Sequence, residues 1–255
     1  MVVDFKRYSS IKIGPKIELF NITKESYPEF DGVVVGGANN LLISPTPPPL
    51  GMLDKSFDFI KFDGEYLRVG GATKSAKLYN FAMKNDIFGF EFLKNIPGTI
   101  GGLLKMNAGL MGYEISNNLI LVEFFDKEIA KDELKFGYRK SGIDEVVFTA
   151  LFKVKKGFDH LLANKIAQNR ANQPRGASFG SIFKNPTPFF AGKLLEEVGL
   201  KGYKIGGCGF SDAHANFLIN YGEATFDEAL SLINLAKKRV FENFGIKLET
   251  EVVIL

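Results

Sequence analysis

The stretch Ile96–Glu114, IPGTIGGLLKMNAGLMGYE, decides how the rest of this chain is read. Glycine stands in it at positions 98, 101, 102, 109 and 112, and glycine inside a regular helix or strand costs roughly 0.5–1 kcal/mol relative to alanine. An uninterrupted helix or strand is therefore not expected across this segment, and its glycines let the backbone come close to another molecule. Two more glycine turns follow apolar runs: Gly36-Gly37-Ala38-Asn39-Asn40 after Val33-Val34-Val35, and Gly70-Gly71-Ala72 after the strand-like Tyr66–Val69. Turns of this type aim backbone N–H groups inward and form anion-binding concavities, although each taken singly reads more simply as a tight turn. None has the Gly-x-Gly-x-x-Gly spacing of a Rossmann turn or the Gly-Lys-Ser/Thr ending of a P-loop, so a dinucleotide bound here would need another fold.

Outward from this segment, the sequence predicts an α+β protein. Ile11–Ile13, Ile17–Phe20, Leu119–Phe125, Val146–Val154 and Leu248–Leu255 read as strands, and Ala76–Lys84 as a helix. Pro45-Thr46-Pro47-Pro48-Pro49 can extend neither a helix nor a central strand and is expected to be a surface loop. Thr187-Pro188 reads as an N-cap with proline at the first helical position, the helix stopping at Gly199. Thr225 and Glu228 form a capping box before a helix whose apolar face is Leu230, Ile233, Leu235 and Val240 and whose end is Gly245.

The composition narrows the function classes. Of 255 residues 45% are hydrophobic, ample for sizeable cores, and no run approaches the length of a membrane span. A net charge of +3 is too small for a general nucleic-acid binder and suits small anionic ligands. One cysteine, Cys208, excludes an internal disulfide, agrees with a reducing compartment and reads as a buried, inert thiol. It and two histidines, His160 and His214, offer no zinc spacing, so metal-free chemistry is expected. With no leader-like N-terminus, the chain is expected to be cytoplasmic.

The segment Ile96–Glu114 is similar to the signature of the UDP-N-acetylenolpyruvoylglucosamine reductase family. The match continues in order through Tyr138-Arg139-Lys140-Ser141, Gln173-Pro174, Gly180-Ser181-Ile182-Phe183-Lys184-Asn185-Pro186, Ala191-Gly192, Gly199-Leu200-Lys201-Gly202, His214-Ala215-Asn216-Phe217 and Leu248-Glu249-Thr250-Glu251-Val252. This resemblance implies three small α+β units: an FAD-binding pair of the vanillyl-alcohol-oxidase/PCMH type, residues 1–57 and 58–157, and a substrate domain, residues 158–246, with a tail, residues 247–255, that returns Glu251 to the active site. It implies NADPH-dependent reduction of an enolpyruvyl UDP-sugar through FAD in peptidoglycan precursor synthesis. Partners beyond these small molecules, and the oligomeric state, are not implied.

The family's pattern carries over residue by residue. Its catalytic trio falls on Arg139, Ser181 and Glu251: arginine for the substrate carboxylate, serine for the proton, glutamate acting with it. The cofactor positions are Gly36, Gly37, Ala38, Asn39, Asn40, Gly71, Pro97, Gly98, Thr99, Gly101, Gly102, Asn107, Gly109 and Gly112. The substrate positions are Tyr138, Lys184, Asn185 and His214, the last equally readable as a satisfied core histidine. On spacing alone, a serine after glycine is a turn residue and a Tyr-Arg pair is surface. Departures are Ala38-Asn39 in place of the usual Gly-Ser and Thr250 in place of a proline. Roughly forty residues separate Arg139 from Ser181, which leaves little room for an inserted tyrosine-bearing loop and points to the short subclass.

Rival readings use fewer of these residues. Another FAD oxidoreductase of similar architecture would not need the Ser181 and Asn185 segment, and a flavin or nucleotide-sugar binding module would not need Arg139, Ser181 and Glu251 together. A serine hydrolase would need the Gly-x-Ser-x-Gly elbow that Ser181 lacks.

Overall fold

Apolar and polar residues alternate over Tyr66–Gly70, and the strand formed there buries Leu67 and Val69 completely. It pairs antiparallel with Ile60–Phe62 on one side and Thr149–Lys153 on the other, and the five-stranded sheet continues through Leu119–Glu123 to Glu128–Ala130. In Leu119–Glu123 the buried residues are Leu119 and Val122, three apart instead of two. A register shift between Leu119 and Leu121 accounts for this, because a bulge adds one residue to one strand and changes which side chain faces inward. The helices Ser75–Lys84 and Ile100–Lys105 contribute Leu78, Ala82, Ile100 and Leu104 to the same core, where Phe90 and Phe152 pack edge to face with centroids 5.4 Å apart. Each fully buried phenylalanine of this kind contributes about 1.5–3 kcal/mol.

The computed structural model describes residues 1–171 and 173–255, residues 169–171 by their backbone only. These fall into two compact units. The sheet just described belongs to the unit formed by Leu19–Gly37 and Pro49–Ala171, which also holds a parallel sheet in the order Phe20–Ile22, Leu50–Leu53, Val33–Val34 and a helix over His160–Ala171.

The other unit comprises Met1–Glu18, Ala38–Pro48 and Asn172–Leu255. Its longest element is the helix Phe226–Phe244. Thr225 Oγ1 accepts from the N–H of Glu228 (3.2 Å), while the Glu228 carboxylate accepts from the N–H of Thr225 (2.9 Å), a reciprocal capping box. Gly245 ends the helix at φ +68°, its N–H bonded to the Phe241 carbonyl, the left-handed conformation for which glycine carries no penalty. The buried stripe is Ala229, Leu232, Ile233, Ala236 and Val240. Leu230 and Leu235, expected in the core, are half-buried at its edges, and two alanines take the central positions. Against this stripe lie the antiparallel strands Lys204–Ile205, Cys208–Phe210 and Leu218–Asn220 and the helix Ala191–Glu197.

Three local expectations need correction. Ile11–Ile13 forms no strand: Lys12 sits at φ +60° in a turn, with both isoleucines buried. The helix expected at Pro188 starts at Ala191, whose N–H is taken by Asn185 Oδ1 at 3.0 Å, so Asn185 supplies the side-chain acceptor that Thr187 was expected to give. The tail is not one continuous strand: it forms a ladder over Val253–Ile254, parallel to Leu41–Leu42, and an isolated antiparallel bridge from Thr250 to Phe183. No helix among the described residues is long and apolar enough to cross a membrane.

Candidate active site

The three glycine turns that stand out in the sequence come together in the structure. The N–H of Gly101 donates to the Gly71 carbonyl (2.9 Å), that of Ile100 to Thr73 (2.9 Å) and that of Ser75 to Gly98 (2.9 Å), joining the turn after Tyr66–Gly70 to the Pro97–Gly102 turn. Gly36 joins them from the end of Val33–Val34: a Cβ there would lie 2.3 Å from Thr99 Oγ1. A Cβ on Gly71 would lie 2.0 Å from the Val147 carbonyl oxygen. Gly98 holds φ +145°, outside the range L side chains adopt readily.

The continuation of the Gly36 turn lies in the other unit. Ala38 adopts φ +49°, which explains physically why glycine suits this position, and its carbonyl accepts from the N–H of Ser10 (3.1 Å). Asn39 Nδ2 donates to Ser10 Oγ (2.6 Å), and Asn40 Nδ2 donates to the main-chain carbonyl of Glu251 (2.8 Å).

Asn107 is fully buried at φ +45°. Its side-chain N–H groups donate to Glu114 Oε2 (2.8 Å) and the Gly137 carbonyl (3.0 Å). Turning the amide over would set its oxygen against both acceptors, so the orientation is fixed. Its Oδ1 has no hydrogen-bond partner, the one buried side-chain polar atom of which this is true among the described residues. The bond to Gly137 ties the glycine segment to the Gly137–Lys140 turn, which carries Arg139 at φ +54°. Arg139 Nη2 donates to the Gly109 carbonyl (3.1 Å), and the guanidinium lies 5.1 Å from the centroid of the half-exposed Tyr138 ring. Ser141 Oγ, buried, donates to the Lys105 carbonyl (2.7 Å), a third tie between the same two segments.

Ser181 and Glu251 share a different piece of backbone. Ser181 is bridged to Phe217, and the carbonyl of the next residue, Ile182, accepts from the N–H of Glu251 (2.7 Å). Phe183 is bridged to Thr250, and the N–H of Lys184 donates to the Glu249 carbonyl (2.9 Å). Lys184 Nζ also pairs with the Glu249 carboxylate, so this cation already has a counter-charge. Asn185 caps the helix Ala191–Glu197 through Oδ1. His214 is exposed; its Nδ1 accepts from the N–H of Asn216 (3.2 Å), which assigns the ring proton to Nε2, and its ring meets Phe217 at 5.0 Å.

Asn216 stands in the matched sequence without a role, and the structure supplies one. It is buried, its Oδ1 accepts from the N–H of Phe183 (3.0 Å), and its Nδ2 donates to the Phe183 carbonyl (2.8 Å). One side-chain amide thus mimics a strand partner for the main chain just beyond Ser181. Glu114 was equally unmarked, because an acceptor for an asparagine amide leaves no trace in spacing.

Residues 172–255 match the family described as UDP-N-acetylenolpyruvoylglucosamine reductase, C-terminal domain. Over 260 residues the chain is 51% identical to the UDP-N-acetylenolpyruvoylglucosamine reductase of Campylobacter jejuni strain RM1221, covering 100% of both. It is 44% identical over 253 residues to the enzyme of that name from Helicobacter pylori strain 26695, covering 99% of this chain and 98% of the relative. The crystal structure of UDP-N-acetylenolpyruvylglucosamine reductase from Thermus caldophilus superposes with a TM-score of 0.87 at 31% identity, covering 100% of this chain and 98% of that one. On identity that extends from end to end, this chain belongs to the UDP-N-acetylenolpyruvoylglucosamine reductase family.

Proposed function

We propose that this chain catalyses the NADPH-dependent reduction of UDP-N-acetylglucosamine enolpyruvate to UDP-N-acetylmuramate through enzyme-bound FAD, a step of peptidoglycan precursor synthesis in the cytoplasm. The observation that carries this reading is the hydrogen bond from the N–H of Glu251 to the carbonyl of Ile182 (2.7 Å). In a member of this family it seats two of the three residues of the catalytic pattern, Ser181 and Glu251, on adjoining main chain.

Two features fit FAD. The buried Oδ1 of Asn107 is an acceptor without a partner, matched to the N–H and O–H donors of a flavin dinucleotide. A side chain at Gly102 would meet only Thr99 Oγ1, 3.4 Å away, and at Gly112 would enter open space. The residues that would hold the cofactor are those of turns 36–40, Gly71, 97–102 and 107–112. FAD held there would supply the hydride chemistry, from NADPH to the terminal methylene carbon of the enolpyruvyl group.

The chain's own residues manage the charge and the proton. Arg139 binds the substrate carboxylate with its fixed fork of donors and spreads the negative charge that develops next to it. Ser181 passes a proton from its hydroxyl to the carbon adjoining the methylene, and Glu251 acts with it. Tyr138, Lys184, Asn185 and His214 hold the sugar and its phosphates. In this reading residues 1–57 and 58–157 bind the cofactor, 158–246 the nucleotide sugar, and 247–255 carry Glu251. The purified protein is expected to be yellow, to bleach with NADPH under nitrogen, and to regain its colour on addition of the enolpyruvyl substrate. A colourless protein, or one whose colour does not return, overturns the reading.

A further inference from the structure

Glu251 lies where regular pairing has run out. The parallel ladder between the tail and Leu41–Leu42 begins at Val253, and residues 251 and 252 form a bend. The ladder with Leu41–Leu42 therefore does not set the direction of the Glu251 side chain, and other groups hold the main chain from which it springs. On one side the Ile182 carbonyl accepts from the N–H groups of Glu251 (2.7 Å) and Val252 (3.3 Å). On the other side stands Asn40, which grips the tail twice: its Nδ2 donates to the Glu251 carbonyl (2.8 Å) and its own carbonyl accepts from the N–H of Val253 (3.1 Å). The second contact uses backbone and any residue could make it. The first needs a side-chain donor one step beyond the end of the ladder. Asparagine supplies one at the required length, aspartate of the same shape offers only acceptors, and alanine offers nothing.

We propose that Asn40 is a positioning residue for Glu251, acting on proton delivery through the main chain of the tail instead of serving solely as one more cofactor contact. The inference rests on the proposed role of Glu251 in the reaction. The side-chain bond from Asn40 fixes the peptide plane that follows Glu251. With it fixed, the carboxyl group is presented in one direction; without it, the bend at 251–252 can rotate while the ladder at Val253–Ile254 stays paired.

A double-mutant cycle tests this, because residues that act through one another do not multiply their effects, whereas independent ones do. The enzyme with bound FAD is reduced by NADPH under nitrogen, and reoxidation by the enolpyruvyl substrate is followed by stopped-flow absorbance, per bound flavin, for wild type, Asn40→Ala, Glu251→Gln and the double variant. Flavin retained per chain is measured separately by fluorescence after gel filtration. Asn40→Ala is expected to slow reoxidation about tenfold, the scale of one lost hydrogen bond, and to alter the pH dependence of that step. Glu251→Gln is expected to be slower still, and the double variant to match it within about twofold. A double variant slower than Glu251→Gln by the full Asn40→Ala factor overturns the positioning role, as does wild-type reoxidation by Asn40→Ala. Asn40→Asp, of the same shape without the donor, serves where the alanine variant loses its flavin or its fold: slowing equal to that expected of alanine supports the proposal, and a wild-type rate overturns it. Wild-type reoxidation by Glu251→Gln would instead remove Glu251 from the mechanism, a failure of the underlying reading distinguishable from multiplying effects on a slow Glu251→Gln background.

Discussion

The guanidinium of Arg139 donates through Nη2 to the main-chain carbonyl of Gly109, 3.1 Å away, so the arginine proposed for the substrate carboxylate is anchored on the glycine segment proposed for the cofactor. This anchor holds one edge of the planar group in a set orientation, while the proposed role asks the guanidinium to bind the substrate carboxylate as well. Lysine, a point charge on a flexible stem, cannot do both. Arg139→Lys and Arg139→Ala are therefore expected to slow reoxidation by the enolpyruvyl substrate by about 10²–10³-fold, the usual loss for one preorganised charge-stabilising group, while flavin reduction by NADPH falls far less. Anaerobic measurement of the two half-reactions separates these effects, and equal losses in both would assign Arg139 a structural role only.

The contact between the glycine turns makes a second expectation specific to backbone space. A methyl group on Gly71 would sit 2.0 Å from the Val147 carbonyl oxygen, a main-chain atom that cannot swing aside. Gly71→Ala is expected to destabilise the protein by at least about 1 kcal/mol and to lower its flavin content. Gly98→Val, at φ +145°, is expected to purify without flavin. Absorbance at the flavin band per chain, with urea midpoints, reads both, and a fully yellow Gly98→Val variant would remove the Pro97–Gly102 turn from the cofactor site.

Asn216 gives a test of stability without chemistry. Removing its amide with Asn216→Ala leaves the N–H and the carbonyl of Phe183 without their side-chain partner in a buried place. Each such group costs roughly 1–3 kcal/mol, so the urea midpoint is expected to fall by the equivalent of at least about 2 kcal/mol. An unchanged midpoint would mean that water replaces the amide there.

Burial pushes the Cys208 thiol up to about 12 from an ordinary 9.0. The unfolded chain loses this proton near pH 9 and the folded chain only near 12, so between those values the folded state holds more protons and stability falls as pH rises. Below pH 9 the contribution is complete. Wild type is thus expected to lose more stability than Cys208→Ala between pH 9 and 11, and its thiol to react with a disulfide reagent at pH 8 only after unfolding. Rapid labelling of the native protein would contradict the buried environment.

Much of this was legible because the signals are local. The Thr225–Glu228 box and Gly245 delimit the helix Phe226–Phe244 as written, since caps are set by side chains within one turn. The face of that helix was misread at Leu230 and Leu235 because size was taken for position, whereas the stripe through Ala229, Leu232, Ile233, Ala236 and Val240 follows the helical period. The helix His160–Ala171 carried no clear periodic apolar face and drew no expectation. Arg139 and Ser181 entered the candidate site only through the family resemblance, because on spacing alone a serine after glycine reads as a turn residue and a Tyr-Arg pair as surface. The bonds from Asn40 to Glu251, Asn107 to Gly137 and Asn216 to Phe183 span up to 211 positions and leave no mark in any local pattern.

Ser181 is half-buried, and the contacts that place it are made by the main chain: its bridge to Phe217, the N–H of Ile182 on the Asn216 carbonyl (2.9 Å), and the Ile182 carbonyl on Glu251. Ser181→Ala removes one oxygen and leaves every one of those bonds in place, so the fold, FAD binding and reduction by NADPH are expected to stay near normal. In the proposed mechanism the reaction itself needs that oxygen. Hydride delivered to the methylene carbon leaves negative charge that only a proton at the adjoining carbon can quench, and a positioned acid contributes about 10²–10⁴-fold. A serine hydroxyl is a weak acid in water and serves only when held against the substrate with its departing charge compensated. Reoxidation of the reduced flavin by UDP-N-acetylglucosamine enolpyruvate is therefore expected to slow at least about a hundredfold in Ser181→Ala, with the reductive half-reaction as internal control. Anaerobic stopped-flow absorbance measures both, and wild-type reoxidation in the alanine variant would take Ser181 out of the proton path and leave Glu251, held between Ile182 and Asn40, as the group to test next.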